Sequence, residues 1–129
     1  MTVLVGYVPT PEGDAAFSAA LQEALRRAEP LVVLNSPHGG APVSVDVAPD
    51  AAVRRMAERA EEHGVSLDLR QHAHSGDAAD EVLRVAQEVD ASVIVIGLRK
   101  RSPVGKLLMG SSAQRILLDA DRPVLAVKP

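Results

Sequence analysis

Between residues 93 and 112 the wholly apolar run Val93-Ile94-Val95-Ile96 gives way to Gly97, then to the basic stretch Leu98-Arg99-Lys100-Arg101-Ser102-Pro103-Val104-Gly105-Lys106. Gly110-Ser111-Ser112 then stands at the head of a helical pattern. An unbroken apolar, β-branched run is how a strand buried on both faces reads, and the turn at the carboxyl end of such a strand is where open α/β sheets take ligands. Gly97 permits a tight exit, while Gly110-Ser111-Ser112 starts a helix whose free N–H groups and positive dipole end suit an anion. Arg99, Lys100, Arg101 and Lys106 add cationic donors. The chemistry these types and spacings predict is the holding of a phosphate.

Other patterns fit less well. A Walker loop fails because Gly97 and Gly105 stand too far apart and Leu107 follows Lys106 where a magnesium-binding Ser or Thr belongs. The dinucleotide fingerprint lacks its third glycine and would open the first βα unit, whereas this segment follows the fourth strand. Acid–base catalysis needs a carboxylate, His or Lys beside the loop, and the strand ends supply mostly Val, Pro, Asn and Ser. Asp46 and Asp50 lie in or beside the 41–50 segment with nothing to fix them at the site. Ser111 and Ser112 have no identifiable His–Asp partnership and read as helix caps. His72 and His74, on one face of an extended segment with Asp77 nearby, lack a third metal ligand and read as exposed turn residues. His38 reads as a loop residue, and His63 as a helix-end residue suited to the negative end of the dipole. No catalytic residue and no metal site is assigned.

The elements that must position the loop follow from periodicity. Val3–Val8 reads as a buried strand, punctuated by Pro9-Thr10-Pro11-Glu12-Gly13 before Asp14 caps a helix through Ala24 with Phe17, Leu21 and Leu25 in its apolar stripe. Leu31–Leu34 is a second strand, ending at Asn35-Ser36-Pro37, where Asn35 and Ser36 read as turn caps, and 41–48 reads as a loop. Pro49-Asp50 opens a helix carrying Val53, Met56, Ala57 and Ala60 on one side, stopped by Gly64. Val65–Arg70 alternates as an edge strand does, and residues 77–88 read as a helix with Val82, Val85 and Ala86 inward. After the fourth strand and the glycine loop come a helix through about Leu118 and a last strand at Val124–Val127. Strands alternating with helices imply right-handed crossovers and a mainly parallel sheet covered on both faces.

The chain has 129 residues, 47% of them hydrophobic, enough for one packed domain spanning 1–129 without metal or disulfide. Cysteine is absent, which suits a reducing cytoplasm and removes thiolate chemistry. Met1-Thr2 passes directly into the first strand, so no secretion signal is expected, and no apolar run approaches the roughly 20 residues that cross a bilayer. A soluble cytoplasmic protein is predicted. A net charge of −3, with one Phe and one Tyr for stacking, argues against nucleic acid as a partner.

The 97–112 segment resembles the nucleotide-binding signature of the universal stress protein family, which reads Gly, two residues, Gly, nine residues, Gly, then Ser or Thr. Gly97 fits the first place, Gly110 the third and Ser111 the hydroxyl; Lys100 occupies the second glycine place. The strand order, the Gly76-Asp77 turn before a helix and the closing Pro123–Lys128 run extend the likeness from end to end. The resemblance implies one three-layer α/β domain of the adenine nucleotide alpha hydrolase-like type, with a five-stranded sheet ordered 3-2-1-4-5. It implies a stress-response regulatory protein binding ATP or a related adenine nucleotide, with Mg2+ as accompanying ion and at most weak ATP hydrolysis. Phosphates would meet Gly97, Arg99, Lys100, Gly110, Ser111 and Ser112, and the nucleoside would lie near Tyr7, Val8 and Ser36. Where the family has an Asp at the end of strand one this chain has Val8. That departure and Lys100 leave open the alternative of a nucleotide-free dimeric interaction module. In either case the resemblance implies a homodimer paired through the C-terminal strand, which would otherwise leave a bare apolar edge.

Overall fold

Strands and helices alternate throughout the residues that the computed structural model describes, 1–35, 48–71, 77–99 and 110–129. In chain order they are β1 (Thr2–Gly6), α1 (Pro11–Arg27), β2 (Leu31–Asn35), α2 (Asp50–Glu62), β3 (Leu67–Gln71), α3 (Ala78–Glu88), β4 (Ala91–Gly97), α4 (Ser111–Asp119) and β5 (Val124–Val127). The five strands form one sheet in the order β3-β2-β1-β4-β5, and every neighbouring pair is parallel. The order expected from the family resemblance is the order observed.

Side chains alternate across this sheet into two apolar layers, as the pleat requires. Val3, Val5, Val33, Val93 and Val95 point to the face covered by α1 and α2, against Phe17, Leu21 and Met56. Leu4, Val32, Leu34, Ile94 and Ile96 point to the face covered by α3 and α4, against Val82, Val85 and Ile116. The central strands β1, β2 and β4 are therefore buried on both sides, which is why they read as continuous apolar runs. The edge strands β3 and β5 are only half buried.

Several boundaries differ from the sequence reading, each for a local reason. β1 closes at Gly6 instead of Val8, because Pro9 has no N–H for the ladder and the Thr10 amide turns back to the Val8 carbonyl at 2.8 Å. α1 opens at Pro11, three residues before Asp14. Thr10 is its cap, accepting the Gly13 amide at 3.1 Å, and Pro11 sits where a missing N–H is harmless. The same helix runs past Ala24 to Arg27 and ends on Ala28, which takes a left-handed φ of 54° although it is not glycine. Leu25 falls outside the buried stripe and is 41% exposed. α2 stops as expected at Gly64, whose φ of +69° favours glycine. His63 holds that helix end through its Nδ1, 2.8 Å from the Arg59 carbonyl.

Candidate functional site

β1 leads on through α1 to β2 on one side of the sheet, while β4 and β5 lie on the other, so the carboxyl ends of β1 and β4 part at a switch in strand order. An open α/β sheet places its crevice at such a point. A cleft of about 180 Å³ lies there. Leu34, Val82, Ile96 and Ile116 make an apolar wall, Gly6, Tyr7 and Val8 line the β1 side, and Gly97, Ser112 and Ala113 line the β4–α4 side. Glu12 and Gly13, from the first turn of α1, and Ala78, the first residue of α3, complete it.

Two glycines allow α1 to settle onto the strand ends. A Cβ at Gly13 would lie 1.8 Å from the Val8 carbonyl oxygen, and one at Gly97 would lie 2.2 Å from the Glu12 carbonyl oxygen. Gly97 is thus required by the close approach of α1, since its backbone has no positive φ to explain it as a tight exit. Gly110 is the opposite case. Its φ of −61° and ψ of 153° suit any residue, and among the described residues a Cβ there would meet nothing within 4 Å. Neither its conformation nor packing among the described residues accounts for glycine at 110.

Gly110 is the N-cap of α4 and offers no side chain to the helix. The first turn of any helix leaves amides without intrahelical acceptors, and among the described residues those of Ser111, Ser112 and Ala113 have no other acceptor. The expectation that both serines cap the helix is corrected here. Ser112 Oγ instead donates to Asp77 Oδ1 at 3.0 Å, since an N2 hydroxyl points sideways toward the neighbouring helix.

Asp77 ties α3 to α4. It caps α3 by accepting the Ala79 amide at 3.0 Å, accepts from Ser112, and lies 3.4 Å from Arg115 Nη1. The Ala79 amide, followed by the Ser112 hydroxyl and Arg115, holds the Asp77 carboxyl below its ordinary range. Arg115 is shared with Asp80 and with Asp119, and the Asp80 charge foremost pushes its own pKa up. On the far side of the cleft, Tyr7 Oη donates to Asp14 Oδ1 at 3.1 Å. Burial, then the Asp14 charge and its hydrogen bond, push the phenol up to about 12.

Of the residues expected at the site, Tyr7, Val8, Gly97 and Ser112 line one cleft. Gly110 and Ser111 stand at the N-terminus of α4 and are not among the lining residues, and Arg99 is exposed just beyond β4. Ser36 and Lys100 lie outside the described residues, as do Asp46, His72, His74, Arg101 and Lys106. Asp50 is the exposed first residue of α2 and does not line the cleft. Asn35, read as a turn cap, is instead fully buried and bonds across strands. Sequence reasoning passed over Glu12, the one carboxylate that lines the cleft, which has no hydrogen-bond or ion-pair partner among the described residues. The Pro-Glu-Gly spacing was its signal: a helix opening on Pro11 places Glu12 and Gly13 in the turn nearest the strand ends.

Comparisons with known proteins agree with this geometry. The model of the universal stress protein family matches residues 1–128. A curated universal stress protein of Mycolicibacterium smegmatis is 42% identical over 127 residues, which cover 98% of this chain and 97% of the relative. A solved universal stress protein structure from Archaeoglobus fulgidus superposes with a TM-score of 0.83 at 30% identity, covering 99% of this chain and 98% of that one. Another from the same organism, in complex with dAMP, superposes with a TM-score of 0.72 at 22% identity, covering 99% and 98%.

Proposed function

The chain belongs to the universal stress protein family, and from that premise we propose that it is a regulatory protein that binds an adenine nucleotide in the cleft between β1 and β4. The carrying observation is Gly110, which has no side chain and no described neighbour within 4 Å of an added Cβ, and which precedes three amides of α4 that have no acceptor among the described residues. A helix N-terminus of this kind holds an anion through N–H groups and the positive end of the dipole. A family structure that holds dAMP supports an adenine nucleotide as the class. ATP is the form we propose, because Arg99, Lys100, Arg101 and Lys106 lie in the sequence between β4 and α4 and provide charge for more than one phosphate.

In this reading the phosphates meet the amides at 111–113, with Gly97 and Arg99 beside them. The Ser111 hydroxyl donates to them, while Ser112 stays on Asp77. Tyr7 and Val8 bound the nucleoside, whose flat apolar faces suit the Leu34, Val82, Ile96 and Ile116 wall. The described residues build no cage for Mg2+: Glu12 is the single lining carboxylate, so the ion would ride on the phosphates. Asp77 is held by three donors and Glu12, the single lining carboxylate among the described residues, is oriented by no described partner, so binding rather than turnover is the activity proposed.

A second reading, a dimeric interaction module without nucleotide, draws on the outer edge of β5 and on Leu118 of α4, which is 82% exposed. A homodimer through β5 is proposed under both. Releasing copurified nucleotide by denaturation and titrating the stripped protein calorimetrically with ATP separates the two. A saturable heat supports the nucleotide reading, and none with ATP, ADP or AMP at millimolar concentration refutes it.

A further inference from the structure

Asn35 is the last residue of β2 and is 0% exposed, a polar side chain buried among the largest core groups. Such a group persists only when hydrogen-bonded, and its bonds to described residues reach three separate parts of the chain. Nδ2 donates to the Tyr7 carbonyl at 2.9 Å, and Oδ1 accepts from the Ala48 amide at 2.9 Å and from Gln71 Nε2 at 3.1 Å. Gln71 Nε2 also lies 3.4 Å from the Ala48 carbonyl. One amide thus joins the exit of β1, the end of β3 and the residue that leads into α2.

The arrangement demands both halves of an amide. The Tyr7 N–H still makes a ladder bond to the Leu34 carbonyl at 2.9 Å. β2 ends one residue later, at Asn35, and the Asn35 side chain brings a donor to the Tyr7 carbonyl. Ala48, 3% exposed, presents an N–H that needs an acceptor. A carboxylate at 35 would satisfy Ala48 and repel the Tyr7 carbonyl, and an aliphatic group would satisfy neither.

The Tyr7–Val8 stretch is also part of the cleft wall, braced from the α1 side by Gly13 against the Val8 carbonyl. Asn35 braces it from the β2 side while its own side chain is sealed from the cleft. We propose that Asn35 is the positioning residue of the nucleotide cleft: it sets where the β1 wall stands and joins that wall to Ala48, the residue that leads into α2. The inference rests on the nucleotide reading and deepens it.

Tyr7 is the single tyrosine of the chain, so tyrosine labelled with 13C at the carbonyl yields one resonance that reports the Asn35 hydrogen bond directly. ATP affinity is measured on the unaltered protein, Asn35→Asp, Gln71→Leu and Val33→Ala, with the carbonyl shift and thermal midpoint recorded for each. Val33 is a fully buried neighbour in β2 and controls for lost stability. Asn35→Asp should move the carbonyl resonance and weaken ATP binding roughly tenfold, as the loss of one buried hydrogen bond implies. Gln71→Leu, at the edge, should give a smaller loss in the same direction. Val33→Ala should lower the midpoint without altering affinity. Should Asn35→Asp shift the carbonyl yet bind ATP like the unaltered protein, or should Val33→Ala weaken binding equally, the positioning role is overturned while the nucleotide reading stands. No binding by the unaltered protein overturns both.

Discussion

Replacing Gly110 by Asp separates folding from binding at the proposed phosphate cradle. The backbone at 110 is extended, with φ −61° and ψ 153°, and the first atom of a new side chain meets none of the described residues within 4 Å. The position is an N-cap that lacks a side-chain acceptor, and Asp is a favoured cap, so the helix gains up to about half a kcal/mol over glycine. The same carboxylate stands where a phosphate would approach the amides of 111–113. Two unit charges about 5 Å apart repel by roughly 3 kcal/mol at an effective dielectric of about 20, and salt reduces this by about half. ATP affinity should therefore fall about ten- to a hundredfold, and less at high ionic strength. Calorimetric titration at low and high salt, beside thermal melting, reads both effects, and Gly110→Asn supplies a neutral cap of equal size that should bind far better than the Asp variant. An Asp variant that melts no lower than the unaltered protein and binds ATP just as tightly would refute the reasoning.

Three further outcomes follow from the packing, the edge and the buried phenol. Gly97→Ala drives a Cβ to 2.2 Å from the Glu12 carbonyl oxygen, so the urea midpoint should drop by the equivalent of about 1–3 kcal/mol at unchanged slope; a change below about 0.5 kcal/mol would contradict the close approach of α1. Tyr7 should ionise at about 12 when its absorbance is followed near 295 nm, against 10 for a free phenol. Because the folded value is raised, the stabilising share of this group is complete below pH 10 and is lost between pH 10 and about 12. A midpoint at 10 in the folded protein would deny the buried contact with Asp14. Finally, the Ile94 and Leu98 amides bond the carbonyls of Pro123 and Val127. That two-residue alternation turns the backbone groups of Val124 and Ala126 away from β4. Ala126→Pro should then keep the fold and sediment as a monomer, whereas an unchanged dimer would place the interface elsewhere.

The parts of the fold that were legible in the sequence are those with a strong period. β1, β2 and β4 are buried on both faces and left unbroken apolar runs, and α2 and α3 carried Met56, Val82 and Val85 at helical spacing. What failed was local chemistry at the joints. Thr10 and Pro11 together start α1, yet Asp14 carries an equally plausible capping group one turn on, and only the observed bond to the Gly13 amide decides between them. Ala28 ends α1 in a left-handed conformation that no glycine announced. The strand order 3-2-1-4-5 came from family resemblance, because five similar apolar runs do not declare their neighbours.

At the site, the sequence pointed to Gly97, Gly110 and Ser112 together, and the local packing of Gly97 and the partner of Ser112 differ from the reading. Gly97 serves the approach of α1, Ser112 serves Asp77, and Gly110 has no structural reason for being glycine among the described residues. Asn35 and Gln71 lie 36 residues apart, a pairing invisible to local patterns and created by the β2–β3 register.

The central claim is that the α4 amides and the end of β4 together hold the anionic end of a nucleotide. Titration of 15N-labelled protein with ATP, followed by amide resonance shifts, tests it most directly. Saturable shifts that are largest at Gly97, Ser111, Ser112 and Ala113 and fit one dissociation constant are expected. Shifts that stay linear in ATP concentration, or that saturate at residues away from these four, would contradict it.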